Sequence, residues 1–276
     1  MERDCTLAGD RRKEECMSGY ILCQVKRAQK PFYIENISTN IYSIEELCYY
    51  LYHDLYLVDS TVINGRLCTW LDEELGLTRL AAKLRPFTEK AAAAEDILYP
   101  VFKEINYLSY EELRSLNSRI LALNGEHMAV RAKKKGDTLV ENGMYVNAIR
   151  VYGELLERDD LEQIQQGITS RILHNQGCAY SYLFQMEKAL ECFWKAYQAE
   201  KIPENMKTYL LAYRNFYSHE DYTARLDELE VPEELRKSVS RAWVEFSGLP
   251  EETLPEGRTD HVLETLTREY HRSTGS

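Results

Sequence analysis

The chain has 276 residues, of which 44% are hydrophobic, and it carries a formal net charge of −11. Gly and Pro contribute only 13 and 7 residues, a composition typical of an ordered globular protein of one or two domains. The acidic balance argues against a broad nucleic-acid or anionic-membrane surface, because both need clustered cations. No stretch approaches the roughly 18 apolar residues of a membrane span. We therefore expect no nucleic-acid partner and no membrane insertion.

The cysteines indicate a reducing compartment. There are seven of them, an odd number, and no two have C-x-x-C spacing. No pair of histidines at zinc-ligand spacing completes a metal site. The chain also begins without an apolar run that resembles a signal peptide. These features predict a cytoplasmic protein with no metal and no cofactor.

The first part of the chain divides into a polar segment and a tyrosine-rich module. Residues 1–18 are polar and mixed in charge, and this composition predicts a disordered segment. In the module, residues 19–87, two short apolar runs at 20–25 and 32–34 flank a polar turn with Pro31. This pattern favours a small β-hairpin, and a first helix starting at Tyr20 is the rival interpretation.

A helix follows, opened by a capping box at Ser43 and Glu46. Its tyrosines lie on one face beside a leucine stripe. Tyrosine buries apolar area while it keeps a polar tip, so this face is a candidate second interface. The alternative is that the rings only fill the seam between the hairpin and the helix. The candidate interface residues are Tyr49, Tyr52 and Tyr56.

Caps and breakers divide the following stretch into further helices. Gly76 and Pro86 end two of them, and a second capping box at Ser109 and Glu112 opens another. The predicted helices are 66–75, 78–85, 88–106 and 110–124. The last two could form a degenerate early repeat of the pattern described next.

Two copies of one pattern occupy residues 129–203. In each, a Gly is followed twelve residues later by an Ala and four residues after that by an aromatic ring. The positions are Gly136, Ala148 and Tyr152 in the first copy and Gly177, Ala189 and Phe193 in the second. This spacing of Gly, Ala and an aromatic residue resembles the motif of the tetratricopeptide (TPR) repeat family. The resemblance implies helical hairpins stacked into a superhelix, and a role in binding proteins or peptides.

Single residues in the copies support this interpretation. Gly136 lies within a helical run, where it costs about 1 kcal/mol relative to Ala, so we expect a close packing contact as compensation. Gly143 lies between two helical runs, where a positive φ ends a helix. The copies are 41 residues apart rather than the usual 34, and the extra residues fall near 160–168. We interpret them as a lengthened helix over 162–183.

The end of the chain predicts one more hairpin, at 204–217 and 219–230, and then a capping helix after Pro232. The tail, 248–276, is acidic and polar, and predicts mobility with one frayed helix at 260–272. The domain organisation is therefore a tyrosine-rich module (19–87), a TPR-like repeat domain (88–247) and the tail. The fold class is all-α, a TPR-like solenoid with a small N-terminal α or α+β module.

Catalytic chemistry leaves no recognisable motif. The sequence has no nucleophile elbow, phosphate-binding loop, dinucleotide fingerprint, zinc-protease motif or calcium loop. Lys133, Lys134 and Lys135 form a basic run that we interpret as a solvated helix face. We therefore predict no catalytic residues.

The TPR resemblance implies a binding groove lined by the first helix of each hairpin. Some members of the family hold a peptide's terminal carboxylate with Lys and Asn, and here Lys133, Asn175 and Lys207 match. Asp137 stands where that pattern has Asn and would repel the ligand's carboxylate by roughly 1–4 kcal/mol. We therefore expect a mixed-charge groove with a different ligand. Its implied residues are Val130, Lys133, Asp137, Val140 and Glu141 from the first copy, and Arg171, His174, Asn175, Cys178, Ser181 and Tyr182 from the second.

These features favour a cytoplasmic adaptor or scaffold that binds another protein or a peptide through the groove, the tyrosine-rich module, or both. The sequence leaves a homo-oligomer open. One alternative is a peptide-sensing regulator of the bacterial TPR type, although no effector module is recognisable. Another is an enzyme with its site in 20–85.

Overall fold

The computed structural model of the protein describes residues 25–88, 94–247 and 259–274. Within these ranges it contains fourteen α-helices and a two-stranded sheet, so the all-α prediction is confirmed. The predicted disorder at 1–18 and the predicted mobility of 248–258 lie outside the described residues.

The helices have the following bounds. The N-terminal ones are α1 (Ile44–His53), α2 (Gly65–Glu73), α3 (Thr78–Leu84), α4 (Ala94–Glu104) and α5 (Tyr110–Gly125). The central ones are α6 (Met128–Glu141), α7 (Tyr145–Leu156), α8 (Leu161–Ile164), α9 (Ile168–Tyr182) and α10 (Met186–Ala199). The C-terminal ones are α11 (Pro203–Phe216), α12 (His219–Glu228), α13 (Glu233–Ser247) and α14 (Thr259–Thr274).

The predicted small β element is present in the part of the chain that the structure describes. Strand β1 (Phe32–Ile34) pairs antiparallel with β2 (Thr39–Ile41), a segment that the sequence pattern did not assign to a strand. Val25 is not in a strand, and 20–24 lie outside the described residues. A short 3₁₀ turn, Glu35–Ile37, joins the strands.

Both predicted capping boxes are present. The backbone N–H of Glu46 donates to the Ser43 hydroxyl (3.2 Å), and the Ser43 N–H donates to the Glu46 carboxylate (3.3 Å). Ser109 and Glu112 make the same reciprocal pair at 3.3 and 2.7 Å. Each box satisfies N–H groups that the first turn of a helix leaves without a partner.

The apolar core is continuous from the module into the repeats. One cluster of buried side chains extends from Ala28 to Ile172, and a second extends from Ala189 to Val239. The first cluster therefore joins the N-terminal module to α6, α7 and the start of α9. The domain boundary near residue 88 stays a prediction.

Central helices pack in sequence order: α6 against α7, α7 against α9, α9 against α10, and α10 against α11. Ala148 and Ala189 are fully buried. A Cβ built on Gly136 would lie 2.4 Å from Cε1 of Tyr152, and one on Gly177 would lie 2.6 Å from Cε1 of Phe193. The predicted close contact at Gly136 is therefore confirmed. Each helical glycine admits the aromatic ring sixteen residues later.

The predicted continuous helix over 162–183 is wrong. The inserted residues form the short helix α8, and the chain then turns at Gly167, whose φ is 69°. The Glu162 carboxylate accepts hydrogen bonds from the N–H groups of Gly167 (2.8 Å) and Thr169 (3.0 Å). A left-handed glycine and a carboxylate at the exposed N–H groups together start a new helix at Ile168.

The proposed early repeat over 88–124 lacks the tight hairpin of the later copies. The described part of α4 packs against α3 and α1 rather than closely along α5. A hydrogen bond between the Tyr99 hydroxyl and the Asn117 amide links α4 to α5. The predicted tail helix is present as α14, and it packs against α7.

Candidate functional site

The candidate groove is centred on the carboxylate of Asp137, which joins three helices. Its Oδ1 accepts hydrogen bonds from the Tyr152 hydroxyl and from the Asn175 amide, each at 2.7 Å. Its Oδ2 forms an ion pair with Nζ of Lys133 at 2.5 Å. These contacts tie α6 to α7 and α9. Burial and the neighbouring carboxylate raise the pKa of Tyr152, so its hydroxyl remains a donor at neutral pH.

This network occupies two of the three residues that match the carboxylate-binding pattern, which are Lys133, Asn175 and Lys207. Lys133 and Asn175 are both engaged by Asp137, so the chain supplies its own carboxylate where the family pattern would receive the ligand's. The ammonium charge of Lys133 is already compensated, and the side chain is 19% exposed. Lys207 lies on α11 and is half-buried. The expectation that Asp137 prevents a carboxylate clamp is consistent with this geometry.

The remaining groove positions on α9 differ in accessibility. Arg171 is exposed and donates to the Gln166 carbonyl at 3.0 Å. His174 is half-buried with its ring centroid 5.6 Å from that of Phe193. Burial, with a smaller contribution from the Lys133 charge, lowers the pKa of His174, so the imidazole is neutral at pH 7. Burial raises the pKa of the Cys178 thiol, so it is not an activated nucleophile.

Two groove positions on α6 and one on α9 lie near the helix ends. Val140 is half-buried against the core, whereas Glu141 is exposed. Tyr182 is 60% exposed and stacks on Tyr145 with ring centroids 4.6 Å apart and planes inclined by 3°. This end of the groove therefore presents an aromatic surface to solvent.

The basic run 133–135 is not the solvated face that we expected. Lys134 forms an ion pair with Glu126, and its Nζ also donates to the Tyr56 hydroxyl at 3.0 Å. Lys135 forms an ion pair with Asp59 at 2.7 Å. The three lysines thus pair with three different carboxylates, because neighbouring positions on a helix face different surroundings. Lys134 and Lys135 attach α6 to the N-terminal module.

The three candidate tyrosines of the module have different environments. Tyr49 is 58% exposed and packs against His53, with ring centroids 4.2 Å apart and planes tilted by 38°. Tyr52 packs edge-on against Phe102, under the guanidinium of Arg119. The Tyr56 hydroxyl donates to Glu126 at 3.2 Å. Packing inside the chain therefore accounts for the second and third rings, and Tyr49 alone of the three is exposed.

Pattern reasoning missed contacts that join distant segments. The Asn142 amide donates to the Asp54 carboxylate at 2.8 Å, which ties the end of α6 to the end of α1. The stacking of Tyr145 on Tyr182 joins the start of α7 to the end of α9 and was also not predicted.

The described ranges contain no cluster of three or more His, Cys, Asp or Glu that could hold a metal ion. In the same ranges, no helix has the length and apolarity needed to cross a bilayer. Comparison with family models, curated proteins and solved structures finds no match. A function must therefore be inferred from the chain's own geometry.

Proposed function

We propose that this chain is an adaptor that binds a peptide, or an extended segment of another protein, along the surface formed by α6 and α9. The observation that carries the proposal is the Asp137 network. It links helices from both repeats through buried or half-buried partners, and so fixes the spacing of the two groove walls before any ligand arrives. A preorganised surface loses less entropy on binding.

The side chains along this surface suit recognition of a protein. Arg171 and Tyr182 are both exposed and lie on the same helix. Arg and Tyr are among the residues that dominate interface energetics, each typically costing about 2 kcal/mol or more when truncated at a hot spot. Folding leaves both side chains accessible, which supports a binding role.

The charges select the part of the partner that binds. Asp137 compensates Lys133 and engages Asn175, so these groups offer little to a terminal carboxylate. A second carboxylate beside Asp137 would be repelled by roughly 1–4 kcal/mol at short range. The proposed ligand is therefore an internal segment of a protein rather than its C-terminus.

The proposal can be tested by selecting peptides from a random display library on the immobilised full-length protein. The selected peptides are then measured against the double variant Arg171→Ala, Tyr182→Ala. A matched control replaces exposed residues outside the groove, Tyr49→Ala with Tyr110→Ala, which are 58% and 77% exposed. Melting temperatures of all proteins verify that folding is intact.

We expect the groove variant to weaken the selected peptides at least tenfold, about 1.4 kcal/mol, while the control binds normally. If the control loses binding and the groove variant keeps it, the recognition surface belongs to the N-terminal module. If no peptide is selected whose binding depends on Arg171 or Tyr182, the proposal is wrong.

A further inference from the structure

The turns of the two repeats share one backbone motif but differ in one residue. In the first, the Gly143 N–H donates to the Val140 carbonyl (3.0 Å) and the Met144 N–H to the Leu139 carbonyl (2.8 Å). Equivalent bonds follow α9, where the N–H groups of Phe184 and Gln185 donate to the carbonyls of Ser181 and Tyr180, each at 3.0 Å. This is the Schellman motif, in which the residue after the cap takes a left-handed conformation.

Phe184 occupies the left-handed position that glycine normally takes. Its φ is 56°, and that of Gly143 is 74°. A bulky side chain in this region is a backbone outlier. Its ring is 89% exposed, so no buried contact offsets the strain. Strain that folding does not explain often marks a functional position.

The stacked tyrosines lie beside this turn. Tyr182 ends α9 two residues before Phe184, and Tyr145 begins α7 after the equivalent turn. Among the described residues, neither the Tyr145 nor the Tyr182 hydroxyl has a hydrogen-bond partner. Val146, next to Tyr145, is 39% exposed. We call Tyr145, Val146, Tyr182 and Phe184 the aromatic edge. It offers apolar rings together with two free hydroxyl donors.

A negative charge borders the aromatic edge. Glu141 is exposed and is the last residue of α6, one turn before Tyr145. A carboxylate at the C-terminal end of a helix is electrostatically unfavourable, because the helix dipole is negative there. In the part of the chain that the structure describes, no Lys or Arg forms an ion pair with it. The edge therefore complements a ligand that carries positive charge.

We propose that the aromatic edge binds a proline-rich segment flanked by Arg or Lys. The inference deepens the proposed function and rests on it, because Tyr182 belongs both to the groove and to the edge. The proline rings pack on Tyr145, Tyr182 and Phe184, and the flanking cation approaches Glu141.

The free hydroxyls favour an extended proline-rich ligand over a helical one. A polyproline II segment makes no internal hydrogen bonds, so its carbonyl groups can accept from these hydroxyls. The carbonyls within a helix already accept intrahelical hydrogen bonds and offer these donors less. The polyproline conformation is also populated before binding, which reduces the entropy lost on docking to aromatic side chains.

The experiment titrates the full-length protein into a fluorescein-labelled oligoproline about eight residues long with an arginine at each end. Fluorescence anisotropy reports binding. A matched peptide replaces the prolines with alanines and keeps the arginines. The test variants are Phe184→Gly and Phe184→Asn, since both residues tolerate the left-handed conformation. Glu141→Gln tests the charge, and Tyr110→Ala, at a 77% exposed ring on α5, is the control outside both the groove and the edge.

We expect saturable binding of the proline peptide, with the alanine peptide at least about tenfold weaker. Both Phe184 variants should weaken binding at least about fivefold, since a ring at a contact is removed. Phe184→Gly should also have a higher melting temperature than the unmodified chain, because the strain is relieved. Glu141→Gln should weaken binding and reduce its dependence on salt.

The inference is overturned if the proline peptide does not bind, if the alanine peptide binds equally, or if both Phe184 variants bind normally. A dimer detected by analytical ultracentrifugation that dissociates in Phe184→Gly would assign the edge to a second copy of the chain and also overturn it. A failure of the proposed groove can be distinguished from a failure of the aromatic edge. If the groove proposal is wrong, Arg171→Ala will not weaken the display-selected peptides, irrespective of whether the proline peptide binds.

Discussion

Replacing Gly136 by alanine tests the packing that holds α6 against α7. A Cβ at this position would lie 2.4 Å from Cε1 and 2.8 Å from Cζ of Tyr152. Tyr152 is fully buried, and its hydroxyl is fixed by a 2.7 Å hydrogen bond to Asp137. The ring therefore cannot move without breaking a contact of the Asp137 network. The substitution should destabilise the protein, although alanine is the better helix former.

The expected loss combines three effects. Overpacking a well-packed core typically costs about 1–3 kcal/mol. Weakening the hydrogen bond between Tyr152 and Asp137 adds about 1 kcal/mol. The higher helix propensity of alanine returns about 1 kcal/mol. The free energy of unfolding should thus fall by about 1–3 kcal/mol, which lowers the melting temperature of a chain of this size by roughly 2–12 °C.

Thermal denaturation followed by circular dichroism measures this loss, with Gly153→Ala as the matched control. Gly153 lies within α7, and the nearest atom to its added Cβ is Nε2 of Gln176 at 3.9 Å, an ordinary contact. The control should gain up to about 1 kcal/mol. If Gly136→Ala is as stabilising as Gly153→Ala, the close contact between helix and ring is wrong.

Phe184→Gly should raise the free energy of unfolding in urea by about 1 kcal/mol, since a left-handed non-glycine residue costs roughly 1–2 kcal/mol, and an unchanged value would mean that the backbone is unstrained. Asp137→Asn should strengthen binding of a peptide with a free terminal carboxylate at least about tenfold by calorimetry, because a repulsion of roughly 1–4 kcal/mol is removed and Lys133 is released; equal affinity would contradict the clamp argument. The pKa of His174 is lower in the folded state than its ordinary value of 6.5, so the unfolded chain binds more protons and stability should fall as the pH drops through that value. His174→Gln should reduce this fall between about pH 7.5 and pH 5.5, and an unchanged melting-temperature profile would show that His174 is not responsible.

Features decided by neighbouring residues could be predicted from the sequence. The capping boxes at Ser43 and Ser109 depend on a spacing of three residues, and both are present. The contact at Gly136 followed from the cost of glycine within a helix, which required a compensating neighbour. Helix periods and breakers likewise determined the fold class. In these cases the interacting groups are close in the chain, so their spacing constrains their geometry.

Contacts between distant segments could not be predicted in this way. Lys135 pairs with Asp59, 76 residues away, and Asn142 with Asp54, 88 residues away. These pairs depend on how the N-terminal module docks on α6, and no local pattern encodes that arrangement. The wrong prediction of a continuous helix over 162–183 has a different cause. The number of inserted residues is compatible with a longer helix, but it does not reveal that Glu162 caps a new helix, α9.

The candidate groove was predicted only in part. The TPR resemblance assigned Asp137 and Asn175 to one surface, and the structure joins them by a hydrogen bond. The resemblance does not specify the relative positions of α6 and α9. It therefore could not predict that Asn175 donates a hydrogen bond to the Asp137 carboxylate. The aromatic edge was not predicted, because exposure of Phe184 and the free hydroxyls of Tyr145 and Tyr182 are visible only in three dimensions.

Hydrogen–deuterium exchange with a display-selected peptide tests the binding surface most directly. Mass spectrometry would compare the amide exchange of the full-length protein with and without saturating peptide. The account predicts slower exchange in α6 (Met128–Glu141) and α9 (Ile168–Tyr182), with the module helix α1 (Ile44–His53) unchanged. Protection confined to α1 or to the C-terminal helices, with α6 and α9 unaffected, would contradict the proposal that this chain binds its partner through the groove.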